Sequence, residues 1–164
     1  MNYLREATKQ DMEMLYGWAN EPTVRRNSFS ENEIAFEDHV CWFEEMLQRE
    51  DVKQYIFICD DIPVGQIRIT VQGDDAEIDY SICLEKRCMG LGKEIIDRLG
   101  ERMQKDFPQV KKLVAKVKAE NIASQKVFLD TGFTEKYLCY ERDISVNCQI
   151  KDWNLSHGGI ASDK

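Results

Sequence analysis

Ala76-Glu77-Ile78-Asp79-Tyr80-Ser81-Ile82-Cys83-Leu84-Glu85-Lys86-Arg87-Cys88-Met89-Gly90-Leu91-Gly92-Lys93 is the stretch that decides how this chain folds. Its first half alternates strictly, with Ile78, Tyr80, Ile82 and Leu84 on one side and Glu77, Asp79, Ser81 and Cys83 on the other, the two-residue period of a half-buried strand. Its second half is a glycine-bearing loop. Beyond the loop Ile95, Ile96, Leu99, Met103 and Phe107 recur at helical spacing until Pro108 stops them. Successive backbone amides where such a loop enters a helix cradle anions, and Arg87 and Lys93 add positive charge. The loop lacks the Lys-Ser/Thr ending of a phosphate-binding P-loop, and its glycines are too few and wrongly spaced for a dinucleotide turn.

Outward from this junction the pattern is equally regular. Upstream, Tyr55 to Cys59 and Val64 to Val71 read as two strands, with turns at Asp60-Asp61-Ile62-Pro63 and Gly73-Asp74-Asp75, so that three strands form an antiparallel meander. Further upstream, Thr8-x-x-Asp11 opens a helix that Pro22 ends, and Ser30-x-x-Glu33 opens a second helix over roughly residues 31–49. Downstream, Leu113 to Val117 is a strand and Asn121 to Thr131 a helix with Gly132 as its C-terminal cap. Phe133 to Tyr140 and Val146 to Trp153 read as late strands, and 156–164 as a mobile tail. The order β-α-α-β-β-β-α-β-α-β-β predicts one mixed α/β domain over residues 1–155.

Composition narrows the function. The 164 residues carry 22 Lys and Arg against 30 Asp and Glu, a net charge of −8, which disfavours nucleic acid as a general partner. No apolar run is long enough to span a membrane, and the opening Met1-Asn2-Tyr3-Leu4-Arg5-Glu6 lacks a signal-peptide core, so a cytoplasmic location is expected. Six cysteines without a Cys-x-x-Cys pair read as free thiols, and with two histidines they make no metal site.

Arg87-x-x-Gly90-x-Gly92 after an alternating strand resembles the acetyl-CoA loop of the GCN5-related N-acetyltransferases, the GNAT family. Thirty residues on, Asn121-Ile-Ala-Ser124-Gln-Lys-Val-Phe128-Leu-Asp-Thr-Gly132-Phe133 is similar to the second motif of that family. The resemblance covers about residues 1–145. It implies a central, mostly antiparallel twisted sheet, splayed between its fourth and fifth strands, with helices on both faces. A third stretch, Trp18-x-Asn20-x-x-x-x-Arg25-x-x-Ser28 with Ile34, His39 and Trp42-Phe43, resembles acetyltransferases of amino-sugar nucleotides, closest to those acting on UDP-linked 4-amino-4,6-dideoxy sugars of pseudaminic-acid-type pathways. The broader group includes acetylators of ribosomal-protein N-termini.

From the resemblance follow the expected roles. Acetyl-CoA is the cofactor. Main-chain groups of Ile82, Cys83 and Leu84 pair with its pantetheine arm, the amides from Cys88 through Met89, Gly90, Leu91 and Gly92 to Lys93 hold its diphosphate, and Asn121 and Ser124 reach it from the second motif. Glu77, sharing its strand face with Asp79, is the first choice of base, directly or through water. The usual general acid of the family is a tyrosine where this chain has Phe128, which donates no proton, so Tyr137, Tyr140, Ser124 or solvent must serve. Asn20, Arg25, His39 and Trp42 are candidates for the acceptor pocket, Arg25 for a diphosphate and Trp42 for a sugar or base face. The expected partner is a small-molecule amine, with a homodimer through the late strands as an option. Two alternatives stay open, an acetyltransferase of protein N-termini and a catalytically weak acyl-CoA-binding module.

Overall fold

The structure, a computed structural model, describes residues 1–137 and 139. Two compact units divide the chain, Met1–Thr134 and Glu135–Lys164. The first holds five strands in the order β1 (Asn2–Glu6), β2 (Val52–Cys59), β3 (Ile62–Gln72), β4 (Asp75–Ile82) and β5 (Lys112–Ala115). All neighbours are antiparallel except β4 and β5. Residues 133–137, expected to open a late strand, form none; the rest of that segment apart from residue 139, the strand expected over 146–153, the boundary expected at 155 and the tail lie outside the described residues.

The three strands of the meander form as expected, except that β4 ends at Ile82: Leu84, expected to continue its apolar side, is exposed in a single 3-10 turn, Leu84–Lys86. Asp60 and Asp61 both take left-handed backbone, φ 50° and 65°, the geometry of a tight turn between twisted strands, and Gly73 does the same at φ 64° before β4. Asp60 and Asp61 complete the first turn by themselves, and Ile62 and Pro63 already belong to β3.

Helices cover both faces. On one, α4 (Leu91–Asp106) buries Leu91, Ile95, Ile96, Leu99 and Met103, spaced as one helical stripe, against Tyr55, Phe57, Ile67, Ile69 and Ile78 of the sheet. The α5 helix (Ile122–Asp130) adds Phe128 to that core. On the other face α1 (Met12–Ala19) and α3 (Phe36–Gln48) pack Leu15, Phe43 and Met46 on Val52, Ile56 and Ile58 of β2. Among the described residues no helix is long and apolar enough to cross a membrane.

Two expectations about the N-terminal half need correction. Pro22 does more than end α1; it occupies the first turn of a further short helix, α2 (Pro22–Asn27), where its fixed φ and missing N–H do no harm. The second long helix begins at Phe36 rather than near 31, because Ser30 and Glu33 form no capping box and Ala35 is the N-cap. Residues 28–35 instead form a loop held by the side chains of Asn20, just past α1, and Arg25 of α2.

Candidate active site

The site follows from where β5 stops. Its ladder with β4 runs from Asp75 opposite Lys112 to Ile78 opposite Ala115 and ends there, while β4 continues to Ile82. The Cys83 amide donates to the Val64 carbonyl of β3 at 2.9 Å, so by alternation the peptide groups of Ile82 and Tyr80 face the edge that β5 has left. Here the strands split, and a chain-like ligand can add hydrogen bonds to β4. Gly65 holds β3 close to this end of β4; a Cβ on it would lie 2.6 Å from the Ser81 carbonyl and 2.8 Å from the Ile82 side chain.

The loop beyond is an anion cradle. Cys88 and Gly90 take φ 61° and 80°, the left-handed region that turns successive amides to one side, and Gly90 is the N-cap of α4. Among the described residues the amides of Cys88, Met89, Gly90, Leu91 and Gly92 have no acceptor, so five donors converge at the positive end of a sixteen-residue helix. At Gly92 a Cβ would stand 3.2 Å from the Val127 methyl and 3.4 Å from the Tyr80 hydroxyl, so only glycine leaves this approach open without a shift. Free amides and an open strand edge fit a cofactor carrying a diphosphate on an extended amide arm.

The cationic side chains flanking the cradle are engaged within the protein. Arg87 donates through Nε to the Ile82 carbonyl at 3.0 Å and through its terminal nitrogen to the Glu21 carboxylate at 2.6 Å. Lys93 pairs with Asp97 at 2.7 Å. Burial alone would raise the Glu21 carboxyl, but the Arg87 hydrogen bond and the amides of Thr23 and Val24 outweigh it and hold the group at about 2. Burial raises the Cys83 thiol, with the Glu85 charge acting in the same sense.

The second motif meets the first across Tyr80. Asn121 caps α5, its side-chain oxygen accepting from the Ser124 amide at 3.2 Å. Ser124 bonds the Tyr80 hydroxyl, whose ring is met edge-on by Phe128 at 5.5 Å and 84°. Burial raises the Tyr80 phenol, opposed by that hydrogen bond, so at neutral pH it keeps its proton. The alternation had placed Tyr80 among the apolar residues; its hydroxyl could be found only from the packed structure. Tyr137 is exposed and belongs to the second unit. Tyr140 lies outside the described residues.

On the opposite sheet face β3 and β4 leave a polar surface. Glu77 pairs with Lys116 at 2.7 Å and Asp79 with Arg68 at 3.2 Å, and the Arg68 guanidinium lies over the half-exposed Trp42 ring at 5.3 Å. The other acceptor candidates are committed elsewhere. Asn20 receives the Ile34 amide at 2.9 Å and donates to the Ile34 carbonyl at 3.0 Å. Arg25 donates to the carbonyls of Ala19, Ser30 and Asn32 at 2.6, 3.2 and 3.2 Å and to the Ser28 hydroxyl at 2.9 Å. His39 is 4% exposed, stacked on Phe43 with the Tyr16 and Trp42 rings tilted against it, and its Nε2 is unpartnered. A cavity of about 190 Å³ does open beside the split, lined by Gly17, Trp18, Glu21, Val24, Arg87 and Ser81 to Glu85. None of Asn20, Arg25, His39 or Trp42 lines it.

A model of the acetyltransferase (GNAT) domain matches residues 3–134. The chain belongs to the GNAT acetyltransferase family. It is an acetyl-CoA-dependent N-acetyltransferase. Among solved structures, it is similar to the aminoglycoside acetyltransferase AAC(6')-Ib in complex with coenzyme A, at 20% identity and TM-score 0.71, over 83% of this chain and 86% of that one. Spermidine N-acetyltransferase from Vibrio cholerae, in complex with CoA and spermine, shares 16% identity at TM-score 0.75, over 83% and 82%. A domain from Methanocaldococcus jannaschii shares 21% at TM-score 0.72, over 83% and 90%. At these identities the likeness is one of fold. No curated protein matches the chain.

Proposed function

We propose that this GNAT enzyme acetylates the primary amine of an amino sugar by direct attack. The observation that carries the reading is the meeting of an open β4 edge and amide cradle on one side with a carboxylate-bearing polar face and a cavity on the other. Bound at the cradle, acetyl-CoA supplies an acyl group on a good leaving thiolate. The residues supply the rest. The open-edge amide at Ile82 or Tyr80 donates to the oxygen that gains charge. The attacking nitrogen must be neutral, and Glu77, kept near Lys116, takes its surplus proton directly or through water. With Phe128 unable to donate, Ser124, bonded to the Tyr80 hydroxyl, is the side-chain donor for the departing sulfur, or solvent protonates it.

Trp42, half-exposed beside Arg68, offers a flat face suited to a sugar ring. Similar folds are found in enzymes whose described ligands, ribostamycin for one, are aminoglycosides. The nucleotide-linked form of the acceptor rests on the Trp18 to Trp42 sequence pattern; Arg25, the residue expected to hold its diphosphate, spends its donors on residues 19–32.

An acceptor panel read by CoA thiol release tests the reading. Thiol should appear with free or UDP-linked amino sugars and not with peptides. Acetylated peptide N-termini without sugar turnover would replace it with the protein-acetylating alternative, and cofactor binding without any acetylated amine would leave a binding module. Acetyl-CoA at about 100 times its Kd should stabilise the fold by roughly 2.7 kcal/mol.

A further inference from the structure

The segment 21–31, which contains α2, touches both sides of the split between β4 and β5. At its start Glu21 is locked to Arg87, and Arg87 in turn holds the Ile82 carbonyl at the end of β4. At its far end the Lys118 ammonium, just past β5, donates to the Arg26 carbonyl at 2.9 Å and pairs with the Glu31 carboxylate. The Lys118 carbonyl is itself held from α5, by the Gln125 side chain at 3.1 Å. Between the two anchors, Arg25 binds three backbone carbonyls and stiffens the segment from within. Both anchoring side chains are largely buried, Glu21 at 17% and Lys118 at 19% exposure, whereas an ordinary surface ion pair leaves both partners in water.

We propose that Glu21 and Lys118 are positioning residues that tie this segment as a strap across the mouth of the split, making it a wall shared by the cofactor arm and the acceptor cavity. The inference deepens the proposed function and rests on the split being the cofactor channel. One wall serving two ligands has a consequence that a purely structural brace lacks. Loosening either anchor releases the cofactor faster and weakens acceptor binding together, while the chemistry, which sits on β4, changes much less.

The test uses Lys118→Met, with Glu31→Gln as a milder variant that keeps the lysine and its bond to Arg26. CoA dissociation is followed by stopped-flow displacement without any acceptor, so a mistaken acceptor assignment leaves this readout intact. Lys118→Met should release CoA about tenfold faster, since altered contacts appear mainly in the dissociation rate. The acceptor KM should rise in parallel. Glu31→Gln should shift both in the same sense, by about twofold, as expected for an exposed partner. Wild-type dissociation rates in both variants overturn the proposal, as does Glu31→Gln at the wild-type rate if Lys118→Met fails to fold. A loss of melting temperature with unchanged CoA release reduces the strap to a brace.

Discussion

Between Asp79 and Lys93 the chain offers a ligand its own peptide groups; between Trp18 and Trp42 it holds a set of polar side chains, most of them already bonded to the chain itself. In the first region an early end to β5 and two left-handed residues leave amides free, and the cationic side chains nearby are paired away. In the second, Asn20 and Arg25 bind backbone atoms of the loop they were expected to surround with ligand. The difference teaches where recognition resides. The cradle is backbone chemistry, whereas the proposed acceptor side depends on side chains, namely Trp42 with Arg68 over its ring and the β4 carboxylates paired with Lys116 and Arg68.

The sharpest way to break this contrast is to change one atom set on each side. Glu77→Gln keeps size and removes the charge, so turnover should fall by about a hundredfold with cofactor Kd unchanged, if this carboxylate handles the amine proton. Asp79→Asn assayed beside it decides between the two carboxylates of the face; equal rates for wild type and Glu77→Gln move the role off Glu77. On the backbone side, Gly65→Ala forces a methyl within 2.6 Å of the Ser81 carbonyl. Overpacking against main chain should cost about 3 kcal/mol in urea unfolding and weaken CoA binding by displacing the end of β4. An alanine accommodated at wild-type stability would mean that the strand pair is looser than its geometry indicates.

Arg25 tests the other half. If its donors are structural, Arg25→Ala strands three carbonyls and should cost about 2 kcal/mol of stability, with Lys a poor replacement because one ammonium cannot span the same acceptors. A stable Arg25→Ala protein whose only defect is a raised acceptor KM would return the residue to substrate binding.

What could be read from sequence divides along the same line. The β4 alternation, the Gly90 and Gly92 loop and the α4 stripe are local patterns, each set by residues within a turn or two of one another, and they appear in the structure where expected. Partnerships such as Glu21 with Arg87 or Lys118 with Arg26 join residues 66 and 92 positions apart, and no spacing announces them. Arg25 and Asn20 were attractive as ligands because they are polar and lie between helices. That location also creates a loop whose carbonyls and amides need partners, and the nearest side chains supply them. Tyr80 shows the reverse error: a residue on an apolar face whose one polar atom reaches a serine more than forty positions on.

His39 carries the smallest and most specific prediction. Burial holds its imidazole below the ordinary value of 6.5, opposed by a ring N–H donated to the Met12 carbonyl, and Nε2 is enclosed without a partner. A folded-state value below the unfolded one means that the unfolded chain takes the proton more readily. The stabilisation is therefore complete above about 6.5 and declines as the pH falls through that value toward the lower folded-state one. His39→Phe keeps an aromatic ring among Tyr16, Trp42 and Phe43 but cannot titrate, and it removes the enclosed nitrogen. Urea midpoints measured between pH 8 and 5 (a range on either side of the free imidazole value) should fall more steeply for the wild type than for the variant. Parallel curves would mean that His39 is hydrated or paired in solution. It would then be accessible again as an acceptor ligand, and the contrast between the two regions would lose its best-buried member.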